Sequence, residues 1–230
     1  MQERPEISDV TFALAAPGEE RAAVLEVEGQ APPRDPADYN IVEGSKRGHL
    51  VRFNRVATNW FDAFGVPLLM GRALMDTDRN GDSVMVNRAL VDALFGGGNA
   101  LGARIRYVGR SREANERDIT LNRWYEIVGV VPDFPPVRVL ETERPPRIYH
   151  AAGLGDVHPA RLALRVRSNN PMAFAATLRE AGAAIDPSLQ LAQIETPEMI
   201  IERAQGILRL IGITVTVATI SVIALATAGV

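Results

Sequence analysis

The sequence contains no cysteine and only three histidines. Without cysteine the chain has no disulfide, no thiolate metal site and no cysteine nucleophile. His49, His150 and His158 lie far apart and lack the spacing of a helical zinc motif, so we expect each at the surface or at a sheet edge. The net charge of −3 lacks the basic excess that attracts nucleic acid, although all but one of the 25 cationic residues are arginine. We therefore expect no metal site built on histidine and no nucleic-acid partner.

Motifs for nucleotide binding and catalysis are also missing. The glycine-rich stretch GGGNALG at 96–102 follows a helical pattern instead of opening one, and no Lys-Ser or Lys-Thr comes after it, which argues against a phosphate loop. No G-x-S-x-G elbow occurs. Glu141 and Glu143 stand beside arginines, which is typical of a solvated charge cluster. The sequence predicts no catalytic residue, no cofactor and no enzymatic activity.

The stretch DTDRNGD at 76–82 resembles the first half of a calcium-binding loop. Asp76, Asp78 and Asn80 stand at alternate positions and Gly81 is sixth, as an EF-hand requires. Position 12 is Asn87, however, which cannot supply the bidentate carboxylate, and the residues before the loop do not read as a helix. We interpret the stretch as a polar turn, with weak binding of a hard cation as the alternative.

A long hydrophobic run, by contrast, forms the C-terminal end. Residues 210–230 carry no charge, and as an α-helix they would span about 32 Å, close to the thickness of a bilayer core. Twelve of them are β-branched, but an uninterrupted strand of that length is rare in a globular domain. Their hydroxyl groups define no single polar face. We predict a transmembrane helix over 210–230, continuous with a stalk helix over 197–209 that Thr196 caps.

The N-terminal stretch MQERPEISDV has neither the basic region nor the hydrophobic core of a signal peptide. Two explanations follow. Either a first membrane span lies upstream of residue 1 in a longer protein, or the bulk of the chain is cytoplasmic and anchored by its tail.

Periodicity predicts strands and short helices between these ends. Two strands at 7–15 and 22–28 are joined by a Pro/Gly turn, a proline-rich loop covers 30–40, and a third strand covers 49–57. In TNWFDAFG, Thr58 or Asn59 is expected to cap a short helix that Gly65 closes. The aromatic side chains of that helix should face inward together: Trp60, Phe61 and Phe64.

The middle of the chain reads as a small mixed unit. SVMV, ARIRYV, WYEIVGVV and RIYH are strand patterns, and the charged loop GRSREANERD at 109–118 is expected to be a solvated hairpin tip. RALVDALF is an amphipathic helix capped by Asn87 and stopped at Gly96. Its expected inward residues are Leu90, Val91, Leu94 and Phe95.

The last block predicts a β-α-β unit. In ARLALRVRS, apolar residues alternate with arginines, which indicates a strand with one covered face. Pro171 is expected to begin a helix, and QLAQIE at 190–195 supplies the second strand.

Several of these features recur in one order. VATNWFDAFGVPLLMGRALMDTD, VMVNRALVDALFGGGNALGARI and YEIVGVVPDF contain an aromatic helix, a Gly-Arg step, an acidic turn, an Asn-headed helix ending in Phe-Gly and an Ile-Val-Gly-Val-Val strand. This ordered set resembles the extracytoplasmic core domain of MacB/FtsX-type ABC transporter permeases. The landmark residues that carry the resemblance are Trp60, Phe61, Gly71, Arg72, Asn87, Phe95, Gly102 and Gly129.

The resemblance implies an α+β fold in which 1–69 and 153–196 form a porter-like β-α-β sandwich subdomain. Residues 70–152 would be an inserted small mixed α/β subdomain, and a C-terminal transmembrane helix would follow. It places the main domain outside the bacterial cytoplasmic membrane, with one membrane helix before residue 1 and two after residue 230. It also implies a permease homodimer or paired permease, an ATP-binding cassette ATPase and a periplasmic partner. The alternative from a different class is a tail-anchored cytoplasmic binding module without a transport role.

Overall fold

The structure is a computed structural model that describes residues 7–33, 41–133, 144–168, 170–186, 193–196 and 199. These residues form a mixed fold of strands and helices, as predicted. The strands are β1 (Ile7–Ala13), β2 (Arg21–Val27), β3 (Ile41–Gly44), β4 (His49–Val56), β5 (Met70–Gly71), β6 (Ser83–Asn87), β7 (Arg104–Ser111), β8 (Trp124–Val131), β9 (Arg147–Ala151) and β10 (Arg161–Val166). The α-helices are α1 (Trp60–Phe64), α2 (Arg88–Phe95) and α3 (Ala175–Ile185), and 3-10 helices cover Asp76–Asp78, Leu154–Asp156 and Pro171–Phe174.

Six strands close into a ring. In order around it they are β4, β2, β7, β8, β6 and β9, and β9 then pairs with β4. The closing pair is parallel and aligns Phe53 with Ile148. The pair β6–β8 is also parallel, and the other ring pairs are antiparallel. Outside the ring, β1 and β10 extend the sheet from β4, while β3 pairs with β7 and β5 with β8.

Alternating apolar residues fill the inside of the ring. Along β2 these are Ala23, Leu25 and Val27, and along β4 they are Val51 and Phe53, all buried in one core. Successive side chains of a strand point to opposite faces, so every second residue of each ring strand reaches this core. The ring thus has an apolar centre and two ends, at which the inward-facing residues can be polar.

Helix α2 covers one end of the ring. It begins at Asn87, whose Oδ1 accepts a hydrogen bond from the N–H of Leu90 at 3.1 Å, and it ends at Gly96 with a φ of 59°. Both ends are as predicted. The helix contributes three buried residues to the ring core, with Phe95 partly buried against it: Leu90, Val91 and Leu94.

Helix α1 builds a second core outside the ring. Trp60 and Phe61 are buried, and the ring of Phe61 stands edge-on to that of Tyr149 with centroids 5.0 Å apart. Phe64 contacts Trp60 but is 36% exposed, so only two of the three aromatic residues face inward as predicted.

The predicted cap of α1 is wrong, although Gly65 closes the helix in the left-handed conformation with a φ of 67°. Asn59 makes no capping bond, because its Oδ1 accepts from the Thr11 hydroxyl at 3.0 Å while its Nδ2 donates to the carbonyl oxygen of Val10 at 3.0 Å. Thr58 donates to the carboxylate of Asp76 instead. Both side chains fasten α1 to neighbouring segments.

The described residues from Ser168 onward belong to a second compact unit. Pro171 stands in the first turn of the helical segment that continues into α3, as predicted. The described part of the predicted strand QLAQIE, residues 193–195, forms no strand. The hydroxyl of Thr196 accepts a hydrogen bond from the N–H of Met199 at 3.4 Å, the geometry expected of a helix cap.

The rest of the predicted stalk helix and the whole predicted transmembrane helix lie outside the described residues. Among those that the structure describes, no helix is both long and apolar enough to cross a membrane. Strands from 1–69 and from 70–152 share a single sheet.

Candidate functional site

The Gly-Arg step fixes the acidic turn against the sheet. Gly71 has a φ of 78°, and a Cβ added there would lie 2.2 Å from the carbonyl oxygen of Val128. Arg72 donates from both Nη atoms to the carboxylate of Asp78, at 2.6 and 2.9 Å. These bonds from Arg72, with further donation from the backbone N–H of Met75, lower the pKa of Asp78 to about 2. Asp78 is therefore a buried anchor of the turn.

The other oxygen ligands of the calcium alternative are also engaged by protein groups. Asp76 pairs with Arg79 at 2.7 Å, and the Asn80 Oδ1 accepts from Arg55 at 2.6 Å. Because guanidinium groups already bind these oxygen atoms, the arrangement supports a polar turn that is stabilised by arginine side chains. Over the described ranges, no group of three or more His, Asp or Glu side chains has the geometry of a metal site.

Asn87 is the centre of a buried polar network. Its Oδ1 accepts from the backbone N–H of Arg147 at 2.7 Å as well as from that of Leu90. Its Nδ2 donates to Asp133 at 2.7 Å and to the carbonyl oxygen of Pro145 at 3.0 Å. This single side chain therefore joins α2, β9 and the segment that follows β8.

Two more landmark glycines are structural in different ways. Gly129 lets the chain directly after β5 approach β8, because an added Cβ would lie 2.3 Å from the carbonyl oxygen of Arg72. Gly102 has a φ of 77° and open space around it, so only its backbone conformation calls for glycine. These landmark residues stabilise contacts between elements of the fold, and they do not line a common cavity.

A polar cavity of about 170 Å³ lies at the end of the ring opposite α2. We call it the arginine cavity. It is lined by Arg55, Asp78, Asn80, Gly81, Arg117, Asp118, Ile119, Thr120, Arg123, Tyr125, His150 and Ala151.

Strand alternation places two of its arginines. On β4 the inward-facing series Val51 and Phe53 continues to Arg55, and on β8 Tyr125 is preceded two residues earlier by Arg123. These arginines were not among the predicted site residues, and their signal in the sequence is an inward series that changes from apolar to cationic at one end of the ring.

Arg55 is held without a carboxylate. One Nη donates to the carbonyl oxygen of Arg117 at 2.9 Å and the other to Asn80, while the Nε is buried and has no partner among the described residues. Its positive charge is consequently not neutralised within the described protein.

Aromatic rings form the floor of the cavity. The Tyr107 hydroxyl lies 2.8 Å from Nε2 of His150, and the ring of Tyr125 stands edge-on to His150 with centroids 4.9 Å apart. Burial, together with the charges of Arg55 and Arg123, lowers the pKa of His150 to about 3, so the imidazole is neutral.

The position predicted for His150 is therefore wrong. β9 runs between β4 and β6, so this residue points into the ring and is not at an edge. Of the other two histidines, His49 is half-buried and His158 is exposed.

The charged loop 109–118 also differs from the prediction of a solvated tip. Arg110, Ala114 and Asp118 are buried, because Arg110 pairs with Glu43 on β3 and Asp118 pairs with Arg21 on β2. The Asp118 carboxylate additionally accepts from the N–H of Asn115 at 2.8 Å. The loop folds over the end of the ring and forms one wall of the arginine cavity.

Comparison with known proteins places this fold in a family. The sequence model of the MacB-like periplasmic core domain matches residues 2–180. No curated protein sequence matches the chain significantly. A permease-protein domain from Porphyromonas gingivalis has a TM-score of 0.50 and 15% identity, with 80% of this chain and 72% of that chain covered.

Two other solved structures have lower scores. The periplasmic region of MacB from Actinobacillus actinomycetemcomitans has a TM-score of 0.49 and 14% identity, covering 80% of this chain and 69% of that one. The extracellular domain of the noncanonic ABC-type transporter YknZ from Gram-positive bacteria has a TM-score of 0.42 and 12% identity, covering 78% and 94%. Because the family model covers most of the sequence, this chain belongs to the family of MacB-like periplasmic core domains.

Proposed function

We propose that this core domain couples ATPase-driven movement of a permease's membrane helices to a periplasmic substrate or partner. The observation that carries the proposal is the family match over residues 2–180. In this proposal the domain lies outside the bacterial cytoplasmic membrane, and the permease works as a homodimer or with a paired permease and an ATP-binding cassette ATPase. Its role is mechanical, and the chemistry of ATP hydrolysis belongs to the ATPase.

The proposal keeps the predicted organisation of the chain. Residues 1–69 and 153–196 form the porter-like subdomain and 70–152 the insert. The stalk helix over 197–209 leads into the transmembrane helix over 210–230. The bond from Met199 to Thr196 supports a helix that begins where the stalk is predicted to begin.

The architecture of the ring favours a mechanical role. A body that passes on movement has to keep its shape under load, and a closed ring has no free edge along which its strands can separate. The landmark contacts of Asn87 add hydrogen bonds between elements that are distant in sequence, and Arg72 fixes the nearby acidic turn. The ring is thus built to move as one piece.

The side of the membrane on which the domain lies distinguishes this proposal from the cytoplasmic alternative. Glu116 is 85% exposed on the loop over the arginine cavity, and the chain has no cysteine of its own. The variant Glu116→Cys, made in the full protein encoded by the gene, should react with a membrane-impermeant maleimide in intact spheroplasts. The buried variant Ala114→Cys is the matched control for a folded domain and should stay unlabelled. Labelling of Cys-substituted position 116 only after lysis would contradict the proposal and favour the tail-anchored module.

Coupling needs a second measurement. A spin label on the Glu116→Cys variant reports the distance between two copies of the domain in the assembled transporter with its co-purified ATPase. We expect that distance to change between the nucleotide-free and the ATP-bound states. An unchanged distance distribution in a transporter that hydrolyses ATP would reject the coupling role while leaving the topology intact.

A further inference from the structure

The arginine cavity carries an inference that is independent of the coupling role. It opens at the end of a closed ring, where the strands cannot move apart, so its lining is preorganised. At about 170 Å³ it is smaller than the cavities of about 300 Å³ or more that take drug-sized ligands. It therefore has room for a small ion or for one charged group of a larger molecule.

The charges around the cavity leave an excess of positive charge. Its two carboxylates are engaged elsewhere, since Asp78 is held by Arg72 and Asp118 by Arg21. Among the cavity's own arginines, Arg123 pairs with Asp82. The carboxylates of the cavity are thus neutralised by arginines that do not line it, and they do not neutralise the cavity's own arginines.

Two guanidinium groups remain without a carboxylate among the described residues: Arg55 and Arg117. Arg55 is fixed by neutral oxygen atoms and keeps a buried Nε without a partner. Arg117 is exposed at the rim. Its backbone carbonyl oxygen accepts from Arg55, and its guanidinium group takes no part in that bond. A buried donor without a partner is costly, so a ligand that accepts from it gains affinity.

The remaining lining favours an anion with several oxygen atoms. The Thr120 hydroxyl at the wall is a hydrogen-bonding group, whereas the Asn80 amide already accepts from Arg55 and donates to Asp156. The imidazole of His150, whose Nε2 lies 2.8 Å from the Tyr107 hydroxyl, also lines the cavity. Donors from several directions suit a tetrahedral oxyanion better than a planar carboxylate, and two unneutralised guanidinium groups match two negative charges.

We propose that the arginine cavity binds a doubly charged tetrahedral oxyanion, either free phosphate or the phosphate monoester group of a larger molecule such as a phosphatidic acid headgroup. Arg55 and Arg117 supply the charge, and the floor of His150 and Tyr125 limits the depth to one such group. The site does not require the membrane or the ATPase, so it can be tested separately from the proposed transport role.

Calorimetric titration of the full protein in detergent, at constant ionic strength, tests the site. The probes are inorganic phosphate and glycerol 1-phosphate, which is a soluble analogue of a phosphatidic acid headgroup. The variant Arg117→Gln should weaken binding by about tenfold, because a charge-assisted hydrogen bond is lost. The matched control Arg112→Gln removes an exposed arginine of the same loop that does not line the cavity, and it should bind like the natural protein.

The two probes distinguish the source of the anion. Binding of inorganic phosphate alone supports a free-ion site, and tighter binding of glycerol 1-phosphate supports a headgroup site. Sulfate, which has the same shape and charge, should compete in either case. The proposal is overturned if neither probe binds, or if Arg117→Gln and Arg112→Gln have equal affinities. Circular dichroism of each variant identifies a change that merely unfolds the domain, and in that case Arg117→Lys, which retains the charge, replaces the glutamine.

Discussion

Single residues decide whether distant elements of this fold meet. Asn87 has no exposed surface, and its side chain serves α2, β9 and the segment after β8 at once. The variant Asn87→Ala leaves several buried donors and acceptors without a partner. We expect its free energy of unfolding to fall by about 2–4 kcal/mol, measured in urea. Asn99→Ala, in which an exposed turn asparagine is removed, should change it by less than about 1 kcal/mol; equal effects would reject the network.

Gly71 and Gly102 distinguish two reasons for a glycine, which are close approach of a neighbouring atom and a left-handed backbone conformation. Their φ angles are 78° and 77°, but only at Gly71 would a Cβ collide with a neighbouring carbonyl oxygen. Gly102→Ala should cost about 1 kcal/mol for the left-handed conformation alone. Gly71→Ala should cost at least about 1–2 kcal/mol more, since β5 must then move away from β8. Thermal unfolding of the two variants checks the order, and a reversed order would contradict the role of close approach.

At the scale of elements, the acidic turn should respond to pH through Asp78. Its pKa in the folded protein is about 2, below the ordinary value of 3.8. A carboxyl group with a lowered pKa stabilises the fold above pH 4, and this contribution disappears as the pH falls from about 4 to about 2. Arg72→Gln removes the main cause, so it should destabilise the protein at neutral pH and flatten the loss of stability in that window.

Urea unfolding between pH 7 and pH 2 measures this effect. We expect a cost of about 1–2 kcal/mol at pH 7, because Arg72 itself is 40% exposed and solvent screens part of the interaction. Asp76→Asn is the matched control, as that carboxylate is 70% exposed and its pair with Arg79 should contribute little. A pH profile of Arg72→Gln parallel to that of the natural protein would show that the pair does not stabilise the turn.

Local sequence patterns predicted the helices and strands better than the tertiary contacts that these elements make. The helix α2, with Asn87 at its start and Gly96 at its end, and the strands β4 and β10 follow from short-range rules, although Leu162 on the predicted covered face of β10 is 49% exposed. The capping expected of Asn59 failed because a tertiary bond from the Thr11 hydroxyl to its Oδ1 competes with the local one. The prediction for His150 was wrong because the sequence of its strand does not indicate that other strands pair with it on both sides.

The same limit applies to the arginine cavity. Arg55, Arg117 and Arg123 come together only because β4, β8 and the loop after β7 end at one side of the ring. In the sequence they are separate members of an arginine-rich composition. Once the ring is known, the inward alternation from Phe53 to Arg55 points to the site, but the closure of β9 on β4 is a long-range pairing that no local pattern contains.

At the scale of the whole molecule, ring closure has a consequence for local unfolding. β9 is hydrogen-bonded on both sides, to β4 and to β6, so its amides cannot open without breaking the ring. β10, by contrast, is paired only with β1 among the described strands and lies at the end of the sheet. The two strands should therefore exchange their amide hydrogens by different routes.

Native-state hydrogen exchange over a series of low urea concentrations tests this difference. The amides of Ile148 and Tyr149 should exchange only with the free energy and urea dependence of global unfolding. The amides of Ala163 and Leu164 should exchange through a smaller opening that depends weakly on urea. If β9 also opens locally below the global free energy, the ring is not a single rigid unit and the mechanical role loses its physical basis. Joint protection of all six ring strands is what a body that transmits membrane-helix movement requires, because any strand that opened separately would absorb the displacement.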